Sequence, residues 1–153
     1  MEKIFEKFTC SILQLYRLIQ RIKIQEMREY GLNGIHVMCI YYLDENPGGL
    51  TASELVRNMF EDKAAVSRAL KTLRDKGYID GEPDKYNAVI KLTASGVEVA
   101  RYIDDKANKA VVAGSADMTD GERELFYKSL SSIVENLGEY YKRLVKTNRE
   151  TST

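Results

Sequence analysis

Asp62-Lys63-Ala64-Ala65-Val66-Ser67-Arg68-Ala69-Leu70-Lys71-Thr72-Leu73-Arg74-Asp75-Lys76-Gly77 holds a start signal, an apolar stripe and a stop signal for one short helix. Asp62 suits the N-cap, where a carboxylate takes up free amides of the first turn. Val66, Leu70 and Leu73 recur at helical spacing, and Gly77 suits the left-handed residue that ends a helix. With that stripe turned to a core, Lys63, Ala64, Ser67, Arg68 and Lys71 face outward.

Upstream, Thr51 and Glu54 form a capping box that opens a helix through Leu55 and Met59, and Phe60-Glu61 leaves room only for a turn. Before that, Asn33 can cap a helix through Val37, Ile40, Tyr41 and Leu43, stopped by Asn46-Pro47-Gly48-Gly49. Downstream, Tyr78-Ile79 begins an extended segment, residues 83–87 supply turn chemistry, and Ala88 to Leu92 alternate as a second strand. Helix, turn, helix, hairpin is the order of a winged helix-turn-helix, whose second helix enters a DNA major groove.

The outward residues suit that task. Arg68 can offer two hydrogen bonds to a guanine edge, Ser67 can bond a base or phosphate, and Ala64 can touch a thymine methyl. Lys63 and Lys71 suit phosphates, as does Lys85 in the hairpin turn, and Ser53 and Ala65 complete the candidate DNA-facing set. The whole chain is neutral, with 23 basic and 23 acidic residues, so net charge does not argue for nucleic acid. The field is local: between Lys63 and Lys76 five cations face one anion, Asp75, leaving +4.

The chain of 153 residues suits one domain, or a head and a helical stalk. Phe5, Phe8, Ile12, Leu15, Ile19 and Ile22 form one seam, and Phe126, Leu130, Ile133, Leu137, Tyr140 and Leu144 form another, behind a Thr119/Glu122 capping box. Such seams can pack within a monomer, but a 3.5-residue repeat is what a partner helix demands, so a homodimer is expected. Phe5, Phe8, Ile12, Leu15, Leu130, Ile133, Leu137, Tyr140 and Leu144 are the candidate dimerisation residues. Between the seams, Thr93 caps a helix whose Ala100, Ile103, Ala107 and Ala110 permit close packing. The expected fold is mainly α with a small β-hairpin wing, a winged helix-turn-helix head plus a helical dimerisation stalk. Its parts are a dimerisation region at 1–30 and 117–146, a DNA-binding region at 33–93, a connecting helix at 94–115 and a frayed tail at 147–153.

Residues 62–70, Leu73, Lys76-Gly77-Tyr78-Ile79 and Leu92-Thr93-Ala94-Ser95-Gly96 together resemble the MarR family of bacterial regulators. The resemblance implies a triangular homodimer with interleaved terminal helices and two winged heads on a pseudo-palindromic operator. Such proteins are mostly repressors released by a small, often phenolic, ligand or by oxidation. The wing departs from the pattern: where the family usually carries Asp-x-Arg, this chain has Asp84-Lys85-Tyr86 in a short turn, without the minor-groove arginine. A lysine cannot copy a guanidinium laid into a narrow groove.

Other chemistry is sparse. Cys10 and Cys39 are too far apart for a CxxC pair, so neither a disulfide framework nor a cysteine zinc site is expected. Cys10 lacks a cationic context that would make it a redox switch, and Cys39 reads as core. His36, the only histidine, and Tyr41 are weak candidates for an effector site, with packing as the plainer reading. No phosphate loop or nucleophile motif assembles a catalytic centre, so no enzyme, cofactor or metal is expected. With no signal peptide and no apolar run beyond the seven residues from Val37 to Leu43, a cytoplasmic protein is expected. The partners expected are double-stranded DNA, a second copy and a small-molecule effector, but no membrane. The competing reading is a winged-helix protein-interaction module whose basic face is incidental.

Overall fold

Local signals in the sequence set the helix boundaries. A computed structural model describes residues 3–150, with side chains for all of these except Phe5 and residues 148–150. Helix α1 is Ile4–Glu26, followed by a short 3-10 turn at Arg28–Tyr30; α2 is Gly34–Asp44, α3 Ala52–Met59 and α4 Lys63–Asp75. Two short strands follow, β1 at Ile79–Asp80 and β2 at Lys91–Leu92, then α5 at Ala94–Gly114 and α6 at Asp120–Glu150. By contacts the chain divides into two units, Met1–Asn108 and Lys109–Thr153.

The caps read from sequence are formed. The Asn33 side chain accepts from the backbone of His36, whose Nδ1 accepts the Asn33 N–H at 3.0 Å. Thr51 N–H donates to Glu54 Oε2 at 2.8 Å and Glu54 N–H to Thr51 Oγ1 at 3.2 Å. Asp62 Oδ2 accepts from Ala65 N–H at 3.0 Å, and Thr119 and Glu122 repeat the reciprocal pair at 2.8 and 3.3 Å. Each cap supplies partners to amides that the helix cannot satisfy itself, worth about 1 kcal/mol.

The core of the first unit is built on α4. Val66, Leu70 and Leu73 are fully buried, packed with Val37, Ile40 and Leu43 of α2, Leu55 of α3, and Val99, Ala100 and Ile103 of α5. Each large aliphatic side chain so buried contributes about 1.5–3 kcal/mol. Met27 and Leu32, on either side of the 3-10 turn, are buried in the same cluster; no helical spacing in the sequence marks them.

The hairpin is shorter than the alternation at Ala88 to Leu92 suggests. β1 and β2 are antiparallel with Ile79 opposite Leu92 and Asp80 opposite Lys91. Ile90 pairs instead with Leu50, at 3.0 and 2.9 Å, so the loop before α3 is the third rung of the sheet. Left-handed Gly81 (φ 113°) and Asn87 (φ 56°) turn the backbone out of the ladder between these pairings.

In the second unit Arg123 closes the turn into α6. Its Nε donates to the buried Ser115 hydroxyl at 3.1 Å and its guanidinium reaches Asp120 at 3.0 Å. The α6 backbone remains helical to Glu150, past Lys146 where fraying is expected; residues 151–153 lie outside the described residues.

Candidate nucleic-acid interface

The turn between α3 and α4 aims the second helix. Phe60 adopts a left-handed conformation (φ 52°) and its N–H returns to the Val56 carbonyl, ending α3 so that Asp62 can begin α4. With the apolar stripe of α4 buried, Lys63, Ala64, Ser67, Arg68 and Lys71 are all exposed, as is Ser53 on α3, while Ala65 is half-buried beneath them. This face combines a forked donor, a hydroxyl, a methyl and two point charges on a rigid element, which is the chemistry of groove recognition. Among the described residues none of Lys63, Arg68 and Lys71 forms an ion pair with a carboxylate.

The wing turn lies beside that face. Ser53, Lys63, Ser67, Pro83 and Asp84 line one cavity of about 340 Å3, which brings the hairpin turn alongside the outward side of α4. Arg74, near the end of α4, reaches Asp84 at 3.7 Å and anchors the turn. Lys85 is paired with Glu82 within the turn, so its charge is offset where it stands. Sequence spacing could not identify the Arg74–Asp84 link, because the partners are brought together only by the return of the hairpin.

The base of the wing is held by residues of the Leu-Thr-x-x-Gly segment. Thr93 Oγ1 donates to the Gly77 carbonyl at 2.6 Å and accepts from Gly96 N–H at 3.1 Å, and Thr93 N–H donates to the Tyr78 carbonyl at 3.0 Å. α5 thus starts directly against the chain leaving α4.

The remaining candidates are placed apart from this face. His36 is buried, and burial together with the nearby positive charge of Lys76 holds its pKa below the usual histidine value. Its Nδ1 is engaged by Asn33, while Tyr41 is exposed and edge-on to Tyr42 at 5.3 Å between ring centres. A groove of about 290 Å3 beside α1 is lined by Tyr16, Gln20, Ile24, Ile35 and Met38 among others; neither His36 nor Tyr41 lines it. Lys23 donates to the Met38 sulfur at 3.1 Å, and burial lowers its pKa. Cys39 is fully buried, its thiol pushed up to about 12 by burial and by Glu61, whereas Cys10 is exposed. No cluster of metal-ligating side chains occurs among the described residues, and none of their helices is long and apolar enough to cross a membrane.

The seam residues of α1 are on the surface of the single chain. Phe8, Ile12, Leu15, Ile19 and Ile22 are exposed, and so are Phe126, Leu137, Tyr140 and Leu144 of α6, whereas Leu130 and Ile133 are half-buried. Phe5, assigned to the same seam, lies outside the described side chains.

The model of the MarR family matches residues 30–87. Among solved structures, a MarR protein from Peptoclostridium difficile superposes with a TM-score of 0.81 at 23% identity, covering 93% of this chain and 95% of that one. A MarR transcriptional regulator from Methanosarcina mazei Go1 gives 0.82 at 22% identity, covering 91% and 93%. The S. aureus MepR-DNA complex gives 0.73 at 16%, covering 85% and 96%. No curated protein matches. Residues 30–87 thus match the model of the MarR family, and the chain has the winged-helix fold of those solved structures.

Proposed function

We propose that the chain is a sequence-specific, DNA-binding transcription regulator that acts as a homodimer on a pseudo-palindromic operator, as a repressor. The observation that carries this reading is the α4 face itself, where Lys63, Ala64, Ser67, Arg68 and Lys71 stand exposed on a helix whose other side is locked into the core. Arg68 specifies bases; Lys63 and Lys71 hold phosphates; Ser53, Ala64, Ala65 and Ser67 complete the contact; Lys85 contributes least, because Glu82 offsets it. The MepR-DNA complex, a protein of the same fold, lends support.

The dimer is part of the proposal. The seam of α1 and, separately, the seam of α6 turn large apolar side chains to water in the single chain, and a second copy covers them. The organisation proposed is a dimerisation region at 1–30 and 117–146, a DNA-binding region at 33–93, a connector at 94–115 and a terminal tail. The regulator works in the cytoplasm, without enzymatic activity of its own. A small effector releases the operator, and the groove beside Tyr16 and Met38 is one space open to it. A salicylate complex of S. aureus MarR, of the same fold, supports that element.

The test is selection of duplexes from a random pool by the pure protein, followed by anisotropy titration over a salt series. Enrichment of an inverted repeat and a steep salt slope are expected. Failure to bind any duplex at low salt would instead favour a protein-docking module.

A further inference from the structure

Residues 81–89, Gly-Glu-Pro-Asp-Lys-Tyr-Asn-Ala-Val, form the wing turn, and their charges are two acidic and one basic. Lys85 is paired with Glu82, and Asp84 with Arg74 of α4, so that the turn and its anchor are neutral together. Such a segment gains little from phosphates, since counterion release needs net positive charge. Yet the cavity shared by Lys63, Ser67, Pro83 and Asp84 puts the turn against the outward face of α4. If that face lies in a major groove, the adjoining turn meets the neighbouring backbone and minor groove.

Its largest projecting side chain is Tyr86, which is 92% exposed. The tip that presents it has internal hydrogen bonds: Lys85 N–H donates to the Glu82 carbonyl at 2.9 Å and Ala88 N–H to the Lys85 carbonyl at 3.1 Å. Asn87, just after it, is left-handed (φ 56°), a conformation Asn tolerates better than most residues. Among the described residues no hydrogen bond or ring contact engages this aromatic side chain.

We propose that Tyr86 is the wing's DNA contact, its ring lodged between the sugar walls of the minor groove flanking each half-site, so that the wing reads groove shape without charge. The inference rests on the DNA-binding reading above. The ring is neutral, presents an apolar surface to the deoxyriboses and tolerates the negative potential of a narrow groove better than a carboxylate does. A minor groove blocked by an added amino group excludes it.

The test uses a duplex of about 30 base pairs selected by the wild-type protein, and the same duplex with 2,6-diaminopurine for adenine in the segments flanking the half-sites. That base adds a minor-groove amino group and leaves the major-groove edge intact. Tyr86→Ala is expected to raise Kd about five- to tenfold on the natural duplex, with the salt slope unchanged, because no ion pair is lost. Tyr86→Phe is expected to retain wild-type affinity. Diaminopurine is expected to weaken the wild type and to leave Tyr86→Ala unaffected. Equal affinity of wild type and Tyr86→Ala, or equal loss from diaminopurine in both, would overturn the proposal, as would Tyr86→Phe binding as poorly as Tyr86→Ala. Arg68→Ala run alongside separates the outcomes: if it weakens binding while Tyr86→Ala does not, only the wing contact fails, and if neither weakens binding, the DNA-binding reading fails.

Discussion

The Thr93 hydroxyl donates to the carbonyl of Gly77 at 2.6 Å, tying the first residue beyond the wing to the glycine that follows α4. The same oxygen accepts from Gly96 N–H, so one side chain caps α5 and fixes the exit of α4. Gly77 itself is left-handed (φ 76°), and a Cβ at Gly96 sits 2.0 Å from the Tyr78 carbonyl oxygen. The Lys-Gly-Tyr-Ile and Leu-Thr-x-x-Gly segments are thus two halves of one joint.

Gly96→Ala is therefore expected to destabilise the fold by about 1–3 kcal/mol or more, since the contact is with backbone that can yield only by moving a strand. Thr93→Val is expected to lose about 1–2 kcal/mol through the missing cap and the orphaned carbonyl. Urea unfolding followed by circular dichroism measures both. Unchanged midpoints would show that the joint is not needed for stability.

Stability is expected to fall as pH falls through the histidine range. Burial first, and Lys76 second, hold the His36 pKa below its value in the unfolded chain, so the unfolded state takes up a proton first. The contribution is complete above the unfolded value of about 6.5 and is lost as pH drops from there through the folded value. His36→Gln keeps a side chain suited to the capping box and removes the titration. Its urea midpoint is expected to vary less between pH 7.5 and 5.5 than that of the wild type, and an identical slope in both would refute the assignment.

The two thiols are expected to differ sharply. Cys39, buried and with its pKa pushed up to about 12, stays a thiol at neutral pH, and exposed Cys10 reacts first. Titration with a chromogenic disulfide should count one reactive thiol in the native protein and a second only on unfolding. Mild peroxide is expected not to release DNA. Release in the wild type but not in Cys10→Ser would make Cys10 a redox switch.

Much of this arrangement is legible in residue order. Capping boxes at Thr51/Glu54 and Thr119/Glu122, the Asp62 cap and the Val66-Leu70-Leu73 stripe announce themselves because each depends on neighbours within one helical turn. The pairing of Leu50 with Ile90, the burial of Met27 and Leu32 and the Arg74–Asp84 link escape such reading, because they join segments by tertiary return of the chain. On the α4 face, spacing names the exposed residues once the stripe is known. The cancellation of Lys85 by Glu82 was present in the sequence as a three-residue spacing, but the turn had to be seen before the charge could be discounted.

Removal of residues 121–153 is expected to abolish dimerisation, because it takes away the α6 seam that includes Leu130, Ile133, Leu137, Tyr140 and Leu144. Sedimentation velocity of the truncated and full chains is the measurement. A truncated chain that stayed folded and dimeric would contradict the stalk assignment. Leu137→Lys, at an exposed position, provides a variant whose own fold is not at stake, and it too is expected to shift the full chain toward monomer.

If α4 reads DNA with Arg68 and grips it with Lys71, a salt titration of the two alanine variants separates the two roles. On a selected duplex whose half-sites lie roughly 10 base pairs apart, Arg68→Ala is expected to lose about 1–3 kcal/mol and relax preference at one base position per half-site. On random duplex it changes little. Lys71→Ala is expected to weaken both duplexes alike and lower the salt slope by about one unit per lost phosphate contact, or about two for a dimer altered in both subunits. Specific binding left unchanged by both substitutions across the whole salt range would remove α4 as the DNA-reading element and leave the winged helix as a protein-docking module.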